Sequence, residues 1–163
     1  MRVFLARLAL PRLALRPQRR PIRGNNTRTE QEGTFELYKK AAKQVQAEDQ
    51  FNLGLMYYDG EDTTQNYNVA FKWFKKAAKQ GHVDAQFNVG LMCYDGKGIH
   101  KNYKKAFEWF KKAAKQGHTP ALENLASMYF NGRGTTKNYQ KACECWGKMQ
   151  RAPIEIHVTY AKI

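Results

Sequence analysis

The sequence predicts an all-α fold, a right-handed α-α superhelical solenoid of three helix-turn-helix repeats with a partial unit at its N-terminal end. Three observations predict it. The twelve-residue run from Phe71 to His82 returns as Phe107 to His118 with one difference, Glu108 for Lys72. The same offset of 36 residues links Gly60, Gly96 and Gly132, then Asn66, Asn102 and Asn138, then Tyr67, Tyr103 and Tyr139, with no insertion anywhere. Self-similarity at a fixed period of this length is the signature of repeat architectures. Within a copy, Ala106, Trp109, Phe110 and Ala113 recur at i, i+3, i+4 and i+7, which is one face of a helix.

The elements follow in order. Tyr38 to Gln44 match the end of a second helix and form the partial unit. Hairpins follow at about 47–58 with 67–79, 84–94 with 103–115, and 120–130 with 139–149. In the middle copy the first helix stops at Asp95-Gly96-Lys97-Gly98, where glycine supplies the positive φ that ends a helix and turns the chain. The second helix ends at Gly117, with Lys104, Glu108, Lys111 and Lys115 on the face opposite its apolar stripe. Neither helix is long enough to be stable alone, so the apolar stripes must be buried by stacking successive hairpins. Small residues such as Ala85, Gly90, Ala106 and Ala113 let the helices approach, and Trp109 and Phe110 fill between them.

The organisation is then a basic segment over 1–34, a solenoid over 35–150 and a C-terminal tail over 151–163. The formal charge of +14 is unevenly placed. Residues 1–29 carry eight arginines and no acid, so more than half of the excess lies outside the repeats. The stretch from Met1 to Arg23, rich in Arg, Leu and Ala, has the composition of a mitochondrial targeting peptide; the alternatives are a loose basic tail on a cytoplasmic protein or a start placed upstream of the true one. No apolar run approaches the length of a membrane span. The three cysteines, Cys93, Cys143 and Cys145, form no disulfide framework and no metal-ligand spacing, so no metal or other cofactor is expected. Residues 153–163 alternate in a strand-like manner, with nothing else strand-like to pair with.

Two of these motifs carry a resemblance. Leu53-Gly54-x-x-Tyr57-x-x-Gly60 is followed by Ala70-x-x-Trp73-x-Lys75-Lys76-Ala77-Ala78 and Gly81, and both motifs return in the later copies. The pattern resembles the Sel-1-like repeat, a relative of the tetratricopeptide repeat, over roughly residues 35 to 149. The copies depart from it at Asp62 for the second turn glycine, Cys93 for tyrosine, Cys145 for tryptophan, and Met149-Gln150 for the paired alanines. The resemblance implies a non-catalytic scaffold or adaptor that holds a protein or peptide partner. It also implies a rival, because cysteine-rich relatives have been linked to penicillin binding or β-lactamase activity, although their paired-cysteine pattern is absent here.

The residues themselves give catalysis little to work with. His82 and His118 are the same position in successive copies, and a solenoid translates such groups apart, so they read as turn residues or helix caps. Ser127 has no adjacent base and acid, and no catalytic residue is expected. The lysine stripes could meet a nucleic acid, a second rival, but the aromatics are expected on the core face rather than among the lysines. The expected partner-binding positions lie on the first helix of each hairpin. Phe87, Leu91 and Tyr94 run i, i+4, i+7; Phe51, Leu55 and Tyr58 match them in the first copy, and Glu123, Ser127 and Phe130 in the third. That stripe either forms an apolar ladder for a peptide or packs on its own partner helix. Oligomeric state and partner identity are not encoded in any motif.

Overall fold

The computed structural model describes residues 27–42 and 46–151; the Arg-rich segment through residue 26 and the tail from residue 152 lie outside them. The described residues form seven helices and no strand. These are α1 (Thr27–Ala41), α2 (Ala47–Asp59), α3 (Tyr67–Lys79), α4 (Val83–Asp95), α5 (Tyr103–Lys115), α6 (Thr119–Asn131) and α7 (Tyr139–Arg151). The pairs α2/α3, α4/α5 and α6/α7 are the three hairpins, and each packs on the next through α3/α4 and α5/α6. The partial unit is the helix α1, which starts ahead of residue 35 and lies on α2.

Each boundary has a local cause that repeats. Asn66, Asn102 and Asn138 accept hydrogen bonds from the backbone N–H three residues on, at 2.9–3.1 Å, and so cap α3, α5 and α7. Gly60, Gly96 and Gly132 end the first helices in the left-handed region, and their N–H groups donate to the carbonyls of Met56, Met92 and Met128. Two residues later the turn needs a positive φ again. Gly98 and Gly134 supply it, and a side chain there would run into the Tyr67 or Tyr103 carbonyl of the preceding hairpin. Asp62 holds the same conformation at φ 60°, one that Asp adopts more readily than most residues.

The core is a stack of aromatic contacts one repeat apart. Inside the first two hairpins Phe51 meets Phe74 and Phe87 meets Phe110, both at 5.6 Å between ring centroids. Between units the contact is edge-on, Phe35 to Tyr57 at 5.6 Å and Phe107 to Tyr129 at 5.1 Å. At the equivalent junction in the middle, Phe71 packs against the same core as buried Cys93, which stands where the other copies have tyrosine. Close approach depends on glycine: a Cβ on Gly54 would lie 2.5 Å from the Phe74 ring, and one on Gly90 would lie 2.6 Å from that of Phe110. The third copy has Ala126 at the glycine position and Trp146 at the phenylalanine position.

Gly90→Ala therefore overpacks the middle hairpin. It should cost about 1–3 kcal/mol in denaturant unfolding, and Phe110→Leu in the same chain should restore part of the loss. An unchanged midpoint for Gly90→Ala would show that the hairpin is looser than this geometry requires.

Candidate protein-interaction surface

The junctions between hairpins are built on one histidine each. His82 is the N-cap of α4: its Nδ1 accepts the Ala85 N–H at 3.2 Å, and its ring stacks on Phe51 at 4.4 Å. Its Nε2 lies 2.9 Å from Glu48 Oε2. His118 repeats the pattern with Ala121, Phe87 at 4.5 Å and Asp84 at 3.2 Å. Because Nδ1 is an acceptor, the ring proton sits on Nε2 and donates to the carboxylate. Asp84 is held below its ordinary pKa, chiefly by the His118 hydrogen bond, while burial opposes this. Both histidines are thus helix caps, one repeat apart along the stack.

Buried polar groups follow the same period. Gln50 Nε2 donates to the Ala42 carbonyl at 3.3 Å and its Oε1 accepts from Gln80 at 2.8 Å. Gln86 does the same with Ala78 at 3.2 Å and Gln116 at 2.9 Å. A cation from each following turn sits on a tyrosine pair, with Lys97 Nζ donating to the Tyr58 hydroxyl at 2.9 Å and Arg133 donating to that of Tyr94. These groups are spent on structure. Among the described residues the orphan is Asn88 Oδ1, buried without a partner.

The first-helix stripe divides. Phe51, Phe87, Tyr58 and Leu91 are buried, packed on their own hairpins and capped by the histidines and turn cations of the next. Leu55 and Tyr94 are half-buried. In the third copy, Glu123 is exposed, Ser127 is half-buried and Phe130 is 41% exposed. Phe130 meets Tyr139 and Trp146, which are 58% and 36% exposed, so the aromatic surface gathers at the α6/α7 end. The stripe is therefore not one continuous open ladder; in the middle copy Phe87 and Leu91 are core and Tyr94 is half-buried.

The second helices also carry a surface at the edge of the core, where Trp73 and Trp109 pack against it. Phe74 and Phe110 face the core as expected, but Trp73 and Trp109 are half-buried at its edge, among the lysines. The Lys76 ammonium lies 3.9 Å from the centre of the Trp73 ring, and that of Lys112 lies 4.3 Å from Trp109. An open groove of about 360 Å³ is lined by Val69, Trp73 and four lysines, and one of about 420 Å³ runs beside Trp109. Periodicity assigns a tryptophan to a face; it does not say whether the face ends at the ring or beyond it.

Burial pushes the Cys93 and Cys145 thiols up from their ordinary value, away from the reactive thiolate. Among the described residues no three His, Cys, Asp or Glu side chains are placed to hold a metal ion. None of the described helices is long and apolar enough to cross a membrane.

The Sel1 repeat model matches residues 31–45, 47–82, 83–118 and 119–149, and the second and third of these units end on the capping histidines His82 and His118. The chain belongs to the Sel1 repeat family. Among curated proteins none matches in sequence. Two solved Sel1-type structures are similar. One is c5321, a protective antigen of uropathogenic Escherichia coli (33% identity, TM-score 0.72, 74% of this chain and 26% of that one). The other is a Sel1 repeat protein from Oxalobacter formigenes (36% identity, TM-score 0.70, 72% and 49%). The chain thus spans a quarter to a half of their lengths. Cysteine rich protein B of Helicobacter pylori shares the fold at 20% identity (TM-score 0.59, 79% and 92%). Proteins with Sel1 repeats are generally non-catalytic protein-interaction scaffolds.

In a Sel1 array joined this way, His118→Ala should destabilise by about 1–2 kcal/mol, since a cap and a ring contact are lost together. The acid response has a definite sign. A depressed carboxyl contributes stability that is complete above its ordinary pKa of 3.8 and disappears as pH falls through the lower folded value. Asp84→Asn should therefore flatten the loss of stability on acidification below that point, as read by denaturant midpoints across the acid range. An identical acid profile in the variant would mean that the His118–Asp84 pair is not maintained in solution.

Proposed function

We propose that this chain is a non-catalytic scaffold that holds a protein or peptide partner on the surface of its solenoid. The observation that carries the reading is the recurrence of the same polar contacts one repeat on. The histidine caps, each with its carboxylate, and the glutamine pairs recur at the same positions of successive copies, so each polar contact serves the same structural joint twice. A surface repeated at a fixed step suits an extended or helical partner, which can engage the same group more than once. We extend the proposal to the Arg-rich residues 1–23, as a segment that directs the chain to mitochondria.

Site-specific photo-crosslinking in cells tests the scaffold. A photoreactive residue placed in turn at exposed positions of both helix rows, such as Glu123, Phe130, Lys72 and Lys111, should give discrete adducts on one face and none on the other. Absence of adducts at every position, with turnover of a chromogenic β-lactam that one polar substitution abolishes, would replace the scaffold with a hydrolase. For targeting, proximity labelling by the full chain should mark mitochondrial proteins, and labelling by a chain lacking residues 1–26 should not. The same cytosolic set from both would end that part of the proposal.

A further inference from the structure

The two rows of helices carry opposite charge. The second helices α3, α5 and α7 bear twelve Lys or Arg side chains and two acids, Glu108 and Glu144. The first helices α2, α4 and α6 bear six Asp or Glu side chains and not one Lys or Arg. Among those acids, Glu48 is engaged by His82 and Asp84 by His118. The lysines of the second row are in a different position. All those of α3 and α5 are exposed, and among the described residues none of them forms an ion pair.

Isolated solvated lysines would be ordinary, but here they are ordered against aromatic rings at the same register. Lys76 covers Trp73 and Lys112 covers Trp109, while Lys75 lies 5.9 Å from the Phe71 ring centre. Each groove beside these rings combines an indole edge and aliphatic lysine stems with an excess of positive charge, four lysines in the first and three lysines against Glu108 in the second. That chemistry asks for carboxylates flanking an apolar side chain. Nucleic acid fits less well, because base stacking needs an open aromatic face and the indole faces already carry an ammonium. The first-helix row is a poor competitor in the middle copy, where Phe87, Asn88 and Leu91 are all buried.

We infer that the α3/α5 part of this row is the docking surface for an acidic partner segment, one in which Asp or Glu residues flank an apolar side chain that seats beside Trp73 and Trp109. The inference rests on the scaffold reading and names its partner class. Like charges concentrated along one row speed encounter with such a segment and repel basic competitors.

The test uses the full chain, a fluorescein-labelled synthetic peptide of glutamates with interspersed leucines, the same peptide with glutamines for glutamates, and poly-uridylate. Anisotropy should report binding of the glutamate peptide, loss with added salt and a shift in tryptophan emission, with the glutamine peptide much weaker. Replacing Lys72, Lys76, Lys104 and Lys112 with Glu should weaken the glutamate peptide by roughly tenfold or more. Replacing the same four with Gln should have a smaller effect in the same direction, and replacing Arg16, Arg19, Arg20 and Arg23 with Gln should have little. Equal loss in the tail variant would overturn the inference, as would tighter binding of poly-uridylate through the same lysines. Cellular crosslinks confined to the first-helix row or the α7 end would also overturn it and leave the scaffold standing. Row-dependent peptide binding with no crosslinked protein in cells would instead strike at the scaffold reading.

Discussion

One imidazole per junction holds the stack together. It caps the helix it begins, stacks on a phenylalanine of the hairpin before it and hydrogen-bonds a carboxylate on that same hairpin. Three kinds of contact therefore meet on one small ring, and its tautomer is fixed by the cap. The Phe–Phe contact inside a hairpin places the ring that the histidine stacks on, and the glycine beneath the second phenylalanine sets how near the two helices come. The spacing of the array is the spacing of these junctions. Change one, and the hairpins on either side lose their common register.

The substitutions in the third copy are consistent with this dependence. Glu123 stands where Phe51 and Phe87 stand, and Ile154 where His82 and His118 stand. Phenylalanine and histidine are exchanged together, as expected if each is useful only in the presence of the other. Leu122 replaces Gln50 and Gln86 in the same copy, so the glutamine pairing ends at the same step. The first copy differs at the other side, where Gln46 begins α2 without a side-chain cap.

Much of this architecture was legible before any coordinates. An exact offset fixes helix count and order, and glycine and asparagine mark the boundaries because their backbone and side-chain chemistry is local. The capping role of the histidines could be read too, since they follow a helix-ending glycine. What could not be read was exposure. Phe87 and Trp109 look alike in a periodic pattern, yet one is core and the other lies at an edge beneath a lysine. Burial at those positions depends on the neighbouring hairpin, and its contribution lies 36 residues away. The glutamine pairs escaped notice for the same reason: Gln86 and Gln116 are 30 residues apart and belong to different helices. Charge segregation was hidden because acids and lysines interleave along the sequence and separate only when alternate helices fall into alternate rows.

The turn at Gly98 and Gly134 has a consequence for how such a protein can change. Each glycine lies against the first residue of the preceding hairpin's second helix, with no room for a side chain. A residue inserted in that turn would displace the point of contact and misalign every later hairpin against the earlier ones. Whole units can be duplicated or deleted without disturbing the contact, because the same surfaces meet again one step on. Arrays of this kind are therefore free to vary in the number of their units and constrained in the length of each, so their evolution should proceed by counting in whole repeats.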